Sequence, residues 1–343
     1  MSGLIIEHEA NDAPAAGNAL VPLALAAGIH DLPAAVYHSD PALAPSLSNS
    51  IGHILLTRSP AHAKAAHPRL TPLDPDDDSE ITSEQEEGTA LHALILEGRD
   101  MMEVVAANDW RTKAAQEARQ AARAAGRIPL LAKRAPSLHA CAAAARAQLE
   151  QHLEAADCFT AGQAERTLLW EEATDHGPIW CRALVDWLPD DPNGWIDDLK
   201  TVAVTAEPGA WGRKMTTEGY ATQAAFYRRG AMRLGMNPRG FRFVVVERDP
   251  PFGLSVCAAT PALEAWADDQ VQQMIDTWGA CLHRDHWPAY PPHIAWIDAP
   301  PWALMQAEER KMRGEFAATG AADARARLEA GRNLVMKSGT PFA

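Results

Sequence analysis

Cysteine is scarce in this sequence, and its spacing argues against several kinds of site. The 343 residues include five cysteines with no Cys-x-x-Cys pair: Cys141, Cys158, Cys181, Cys257 and Cys281. This scatter disfavours a zinc knuckle or an iron–sulfur cluster, which need closely spaced thiolates. An odd number of cysteines also fits a reducing compartment better than a disulfide framework.

Targeting signals and long hydrophobic runs are also missing. The apolar stretch between Ala19 and Ile29 is interrupted by Pro22 and is too short to cross a bilayer. No lysine or arginine precedes it, so it lacks the charged start of a signal peptide. We therefore expect a soluble, cytoplasmic protein without a membrane partner.

Nucleotide-binding and zinc-protease motifs are absent too. The sequence has no Walker A loop, and the stretch Gly219–Gln223 is not a dinucleotide fingerprint. His8-Glu9 is not followed by the second histidine of a zinc-protease helix. We therefore expect no nucleotide cofactor and no chemistry driven by ATP.

Basic residues are outnumbered, but they are unevenly placed. Asp and Glu total 45 against 31 Lys and Arg, which gives a formal net charge of −14. That balance argues against a protein that coats nucleic acid indiscriminately. Between Arg111 and Arg134, however, the basic residues face a single acidic one, Glu117. This segment is either a solvated helical surface or a surface that faces phosphate, and its charge excess favours the second.

The hydrophobic pattern predicts a mixed α/β domain rather than a helical bundle or a β-sandwich. Strands are expected over residues 165–172, 179–188, 194–201, 241–248 and 254–259. Helices are expected over residues 48–57, 60–66, 83–97, 111–126, 135–156, 217–234 and 261–284. We divide the chain into a loosely ordered segment (1–34), one domain (35–305) with a helical insertion at about 105–157, and a charged helical tail (306–343).

One predicted hairpin carries a concentration of charge. Two apolar runs of strand length flank Pro189–Gly194, a turn-forming sequence. Because side chains alternate along a strand, Asp198 and Lys200 are expected on one face. Asp186 ends the preceding strand and can reach that face across the ladder. Two carboxylates and an ammonium at one place do not make a hydrophobic core.

These groups would suit a hard divalent cation. Asp186 and Asp198 offer the carboxylate oxygens that Mg²⁺ prefers, and the Leu199 carbonyl could complete the ligand set. The Lys200 ammonium would stabilise an anion or lower the pKa of an attacking water. A surface hairpin with solvated charges is the alternative. Asp197 would replace Asp198 if the register shifted by one residue.

Three more side chains complete a recognisable order. His92 lies on a predicted helix, and Gln223 and Tyr227 share one face of a later helix because they are four residues apart. The order helical His, Asp, Asp-x-Lys, Gln-x-x-x-Tyr resembles the PD-(D/E)XK nuclease superfamily, in the branch of the RecE-type exonuclease VIII. Flanking segments resemble it too: Tyr37-His38, Ser59–His62, Gly88–His92, Trp110–Lys113, Gly126–Leu131, Cys181-Arg182 and Trp287–Tyr290. The likeness covers about residues 35–305, although Val185 stands where the superfamily's namesake proline often does.

This resemblance implies a PD-(D/E)XK nuclease-like core, a central mixed sheet flanked by helices, with N-terminal and Ala-rich helical additions. It implies cleavage of DNA phosphodiesters with Mg²⁺ as cofactor, or Mn²⁺ in its place. The iron–sulfur cysteines of some relatives are missing here, so we expect no iron–sulfur cluster. The implied catalytic residues are Asp186, Asp198, Lys200, Gln223 and Tyr227, and the implied metal ligands are His92, Asp186, Asp198 and Leu199. The implied partners are double-stranded DNA ends, a single-strand annealing protein, and further copies of the chain in a homo-oligomeric ring.

Other residues are assigned from position and charge. Glu165 begins the first strand on the neighbouring ladder, so it is a candidate for a carboxylate just outside the ligand set. The residues assigned to DNA binding are Arg58, Arg111, Lys113, Arg119 and Arg123. Ser46 and Ser48 are candidates, with Arg58, for capturing a terminal phosphate.

The sequence therefore predicts a metal-dependent exodeoxyribonuclease that resects linear duplex ends in the 5′-to-3′ direction for recombination, as phage or prophage nucleases do. One alternative is a module that binds DNA ends and has lost cleavage. Lys200 argues against it, because a binding module has no need for that ammonium. Another alternative is a nuclease that acts on single-stranded nucleic acid or as an endonuclease.

Overall fold

The computed structural model of the chain describes residues 24–71 and 81–313. The predicted segments 1–34 and 306–343 lie partly outside this range. The helices are α1 (Ala34–His38), α2 (Asn49–Thr57), α3 (Pro60–Ala66), α4 (Ser83–His92), α5 (Lys113–Ala124), α6 (Ala135–Glu150), α7 (Pro208–Thr217), α8 (Tyr220–Arg233), α9 (Pro261–Arg284) and α10 (Pro301–Met312). The strands are β1 (Gly28–Asp31), β2 (Ser46–Leu47), β3 (Met102–Val105), β4 (Ile128–Leu131), β5 (Gly162–Glu172), β6 (Ile179–Pro189), β7 (Trp195–Val202), β8 (Gly240–Glu247) and β9 (Leu254–Ala258).

The central sheet is mixed, as the sequence predicted. Its strand order is β1-β5-β6-β7-β8-β9, and β2 pairs with β6 beside this path. The pairs β5–β6, β6–β7 and β8–β9 are antiparallel, whereas β7–β8 is parallel. A parallel pair needs a crossover connection, and here α7 and α8 supply it between β7 and β8.

A gap along strand β6 is the feature that matters most for the site. β5 pairs with one edge of β6 from Ile179 to Pro189. The other edge is shared by β2, at Trp180-Cys181, and by β7, at Trp187. Over residues 182–186 this edge has no paired strand within the part of the chain that is described.

Apolar side chains fill both faces of the sheet. On one face, α2, α8 and α9 pack around a core whose largest buried members are Trp170, Trp211, Trp278 and Phe226. On the other face, α4 and α6 cover Leu199, Val244 and Val246. Gly230 allows α8 to lie directly on the Trp170 ring, since a Cβ there would stand 2.7 Å from that ring. Core packing on both faces thus fixes β7 and α8 relative to each other.

Most predicted elements are confirmed, and the differences concern short strands and the helix α7. The insertion is not purely helical. Strand β3 precedes α5 in the chain and β4 follows it, and the two strands pair as a small parallel sheet. The predicted helix 217–234 corresponds to α8, whereas α7, which ends at Thr217, was not predicted. Between the two helices lies Gly219, whose φ of 78° suits glycine. Strands β1 and β2 were not predicted. Strands of two to four residues are too short for an alternating pattern to reveal.

The chain divides into two compact units between Ala289 and Tyr290. In the second unit, α10 has no buried residue. The described residues include no helix that is both long enough and apolar enough to span a membrane.

Candidate active site

Strands β6 and β7 separate at the point where their acidic residues lie. Trp187 pairs with Asp197 in this antiparallel ladder. Asp186, which precedes Trp187 on β6, and Asp198, which follows Asp197 on β7, therefore lie on the same side of that pair. The Asp186 carboxylate accepts a hydrogen bond of 2.9 Å from the Leu199 backbone N–H. The carboxylate therefore ties the two strands together where the ladder ends.

Asp198 is buried and held at both oxygens. Its side chain is 1% exposed, its Oδ2 contacts the Lys200 ammonium, and its Oδ1 accepts a hydrogen bond of 2.6 Å from Gln223 on α8. Burial, and then the neighbouring Asp186 carboxylate, raise the pKa of Asp198 to about 6, against the lowering effect of Lys200. A buried acid beside a second acid is unfavourable unless cations accompany it.

Lys200 supplies one of those cations. Burial alone would lower the pKa of its ammonium, but Asp198 and then Asp186 outweigh that effect and raise it. The lysine is thus held in its charged form. Its side chain is one-fifth exposed, so the ammonium can reach a molecule that enters from solvent.

His92, Glu165 and Asp186 form a second, more open part of the site. The His92 Nδ1 lies 3.7 Å from an Asp186 oxygen and 3.9 Å from a Glu165 oxygen. One ligand atom from each of the three lies within 4.8 Å of the others, the only such group of His, Cys, Asp and Glu in residues 24–71 and 81–313. Burial would lower the pKa of His92, but Asp186 and then Glu165 outweigh it and raise it. This negative surrounding suits a cation. The two carboxylates offer the oxygen ligands that Mg²⁺ and Mn²⁺ prefer, whereas an imidazole nitrogen is a ligand typical of transition-metal ions.

Glu165 has a larger share in this group than the sequence indicated. It stands opposite Asp186 in the β5–β6 ladder, between the pairs Ala164–Trp187 and Arg166–Val185. Its φ of 55° is unusual for a residue within a strand. Residues held in sparsely populated backbone regions cluster at functional sites. The period-two pattern gave its position but not this geometry.

Helix α4 brings His92 to the sheet. The helix starts at Thr82, whose side chain accepts a hydrogen bond from the Gln85 N–H, while the Gln85 side chain accepts one from the Thr82 N–H. At His92 the regular helix ends and continues as a wider π-helical turn, Ala93–Glu97. Such turns are frequent at functional sites, because they change the direction of side chains on a helix.

Gln223 and Tyr227 lie at different depths. Gln223 contacts Asp198 directly, as described above. Tyr227, one helical turn later, is 8% exposed and packs with the ring of Phe241, 6.1 Å away. Burial raises the pKa of Tyr227 far above its usual range, and Gln223, one helical turn earlier, has a smaller, opposite effect. Tyr227 is therefore placed behind Gln223.

Asp197, the alternative to Asp198, faces the other side of the sheet. It is 2% exposed and binds the Arg242 guanidinium at 2.7 Å. Its other oxygen accepts a hydrogen bond from the Phe159 N–H. This pairing keeps Asp197 away from Lys200 and excludes the shifted register.

Two of the five residues assigned to DNA binding form ion pairs with a buried acid. Arg119 is buried, and its guanidinium binds the buried Glu86 carboxylate at 2.7 Å. Arg123 binds the same carboxylate at 2.7 Å, and both arginines also donate to the Ile81 carbonyl. These cations neutralise a buried acid and fasten α5 to α4. The prediction that Arg119 faces DNA is therefore wrong, because this side chain is buried, whereas for Arg123, whose side chain is 28% exposed, DNA binding stays a prediction.

The other three residues assigned to DNA binding are at the surface. Arg111 and Lys113 have side chains that are 90% exposed, near Asp109 and Glu117 respectively. Arg58 is exposed at the C-terminal end of α2. Their positions permit contact with a phosphate, so for these three residues DNA binding stays a prediction.

Ser46, a candidate for phosphate capture, belongs to a buried network instead. Its hydroxyl donates to Asp40 at 2.6 Å, and Arg182 donates to its carbonyl at 2.6 Å. His67 lies 3.3 Å from the second Asp40 oxygen. Burial alone would raise the pKa of Asp40, but His67, Arg182 and Ser46 together lower it. Ser48 is also buried and caps α2 by accepting from the Ile51 N–H. Phosphate capture by these serines is thus a wrong prediction.

Comparisons with known proteins agree with this geometry at the level of the family. Residues 56–300 match a family described as a PDDEXK-like domain of unknown function (DUF3799). Among solved structures, a "Putative exonuclease" from Eubacterium rectale has 13% identity, 80% coverage of this chain, 98% coverage of its own and a TM-score of 0.49. The structure of SSO0001 has 9% identity, coverages of 55% and 85%, and a TM-score of 0.23. Among curated proteins none matches this chain. These two structures are too distant to carry an argument, so the family match stands by itself.

Proposed function

Because the chain belongs to the family of PDDEXK-like domains of unknown function (DUF3799), whose fold is nuclease-like, we propose that it is a metal-dependent deoxyribonuclease. One observation carries the proposal. Where β6 and β7 separate, the Asp198 carboxylate contacts the Lys200 ammonium, and Asp186 forms a group with the His92 imidazole and the Glu165 carboxylate. Acidic side chains gathered in this way repel each other unless a cation lies between them. An ammonium beside such a cation can stabilise an anionic substrate such as a phosphate.

We propose the following ligands for one divalent cation. His92, Glu165 and Asp186 form the open group, and Asp198 with the Leu199 carbonyl lies next to it on β7. When bound, such a cation supplies positive charge beside the scissile phosphate. The proposal therefore makes Glu165 a metal ligand, whereas the sequence suggested a carboxylate just outside the ligand set.

The remaining residues would act through position and charge. Lys200 would hold an attacking water by donating hydrogen bonds from its charged amine. Asp198 orients that amine by contact with its Nζ. Gln223 in turn fixes the Asp198 carboxylate from α8. Tyr227 would act through Gln223, because it lies behind that amide rather than in the opening.

We further propose, from the resemblance in sequence, an exonuclease that resects linear duplex ends in the 5′-to-3′ direction. The test is a digestion panel of linear, circular, 5′-phosphorylated and single-stranded DNA with Mg²⁺, Mn²⁺ or EDTA. We expect only linear duplex DNA to be degraded, and we expect EDTA to stop this degradation. Degradation of circular or single-stranded DNA instead would show an endonuclease or a single-strand nuclease.

The site assignment has a matched test. Asp198→Ala and Lys200→Ala should abolish digestion while circular dichroism shows a folded protein. Asp190→Asn in the exposed β6–β7 turn and Lys214→Ala on α7 are the controls, and both should digest like the wild type. Undiminished metal-dependent digestion by the Asp198 and Lys200 variants would refute the assignment. DNA binding in Ca²⁺ without digestion in Mg²⁺ by the wild type would show the end-binding module instead.

We also propose, from the same resemblance, that the protein forms a homo-oligomeric ring and delivers the exposed strand to a single-strand annealing protein. Light scattering during size-exclusion chromatography measures the number of copies. A monomer at micromolar concentration that still digests DNA would contradict the ring.

A further inference from the structure

Two aromatic rings that the proposed mechanism does not use lie beside the Lys200 ammonium. Its Nζ lies 5.5 Å from the centre of the Tyr220 ring and 5.8 Å from the centre of the Phe243 ring. Trp211 stacks on Tyr220 with the two centroids 4.7 Å apart and the planes 14° from parallel. Trp211 and Phe243 are each 1% exposed. Tyr220 therefore rests on a rigid, buried support.

Helix α8 gives Tyr220 a direct link to the site. Tyr220 is the first residue of α8, and Gln223 follows three residues later on the same face. The same turn of helix thus contacts Asp198 through Gln223 and lies next to Lys200 through Tyr220.

A lysine needs more than one fixed point to hold its amine in a set direction. Its four-carbon stem is flexible, and the contact with Asp198 fixes one side of the ammonium. An aromatic face attracts a cation within about 6 Å of its centre, because the ring carries negative charge on its faces. Both aromatic rings near Lys200 meet this distance.

Building on the proposed nuclease function, we propose that Tyr220 is a positioning residue that fixes the Lys200 ammonium through the face of its ring. Phe243 and Trp211 hold that ring in place. The hydroxyl is not part of this action, so Tyr220→Phe should retain the activity of the wild type. A tyrosine that served only to fill the core would tolerate any change that kept the size and shape of the ring.

The test is a series of phenylalanines at position 220 that carry one, two and three ring fluorines. Fluorine withdraws charge from the ring face while it keeps the ring apolar and nearly the same in shape. We expect kcat to fall stepwise, by about two- to thirty-fold over the series, with KM for linear duplex unchanged. A flat series, or a loss of activity already in Tyr220→Phe, would overturn the inference. The same fluorinated residues at Phe252, which packs against the α6 side of the sheet, are the control.

Wild type and Lys200→Ala are measured beside the series, so that two failures can be told apart. If the wild type does not digest DNA, the proposed function fails. If the wild type digests DNA and Lys200→Ala does not, a flat fluorine series overturns only the role of Tyr220. Thermal unfolding of each variant shows whether its fold is retained.

Discussion

The hydrogen bond from Gln223 to Asp198 offers a sharp test of the site. The Gln223 amide donates at 2.6 Å to a carboxylate that is 1% exposed, so water cannot replace the amide. Gln223→Leu removes the donor and keeps nearly the same volume. A hydrogen bond to a charged group contributes about 1.5–3 kcal/mol. If all of that restrains Asp198 during the reaction, kcat should fall by about 10- to 150-fold.

The assay is steady-state digestion of linear duplex at saturating metal, so that weaker metal binding does not hide a change in kcat. Gln272→Leu is the control: this glutamine lies on α9, exposed, and contacts Arg229 and Asp276. It should digest like the wild type. Gln223→Glu should lose at least as much activity as Gln223→Leu, because it brings another carboxylate against Asp198. Activity of Gln223→Leu within about threefold of the wild type would refute the reasoning.

The other predictions concern the buried ion pairs. Asp40→Asn should lower the free energy of unfolding by about 3–5 kcal/mol in urea, because it leaves buried cations without their acid. Asp31→Asn, whose side chain is 80% exposed, should change it by less than about 1 kcal/mol, and equal losses would contradict the argument. Although burial alone would raise it, the partners of Asp40 hold its pKa below the ordinary value, so the stability it contributes is present at neutral pH and lost as the pH falls through that lowered pKa. Arg119→Ala should destabilise the protein at unchanged DNA affinity, whereas Lys113→Glu should weaken DNA binding at unchanged stability. The opposite pattern would restore Arg119 to the DNA surface.

Local patterns in the sequence were sufficient to predict the hairpin and its charges. The turn between β6 and β7 is formed by consecutive residues of turn-forming type. Alternation along a strand places Asp198 and Lys200 on one face. The spacing of Gln223 and Tyr227 likewise follows from a single helix. These inferences succeed because each depends on neighbours within a few residues.

The partners of the arginines were beyond the reach of the sequence. Arg119 and Arg123 belong to a basic stretch, and their charge alone suggested DNA. Glu86, which binds both, lies more than thirty residues away in the chain. The same holds for Asp40 and Arg182, which meet only because β2 pairs with β6.

The sequence alone therefore determined the charge, the order of the motif residues and the alternation of side chains along each strand. These features depend only on which residues are present and on their order in the chain. Tertiary structure decided which charged side chains neutralise each other in buried ion pairs and which ones are open to solvent at the candidate site. It placed Glu165 opposite Asp186, brought His92 to both, and laid the Tyr220 ring near Lys200. The physical reason is that electrostatic and aromatic contacts depend on distance in space, and only the packing of the sheet and helices fixes that distance.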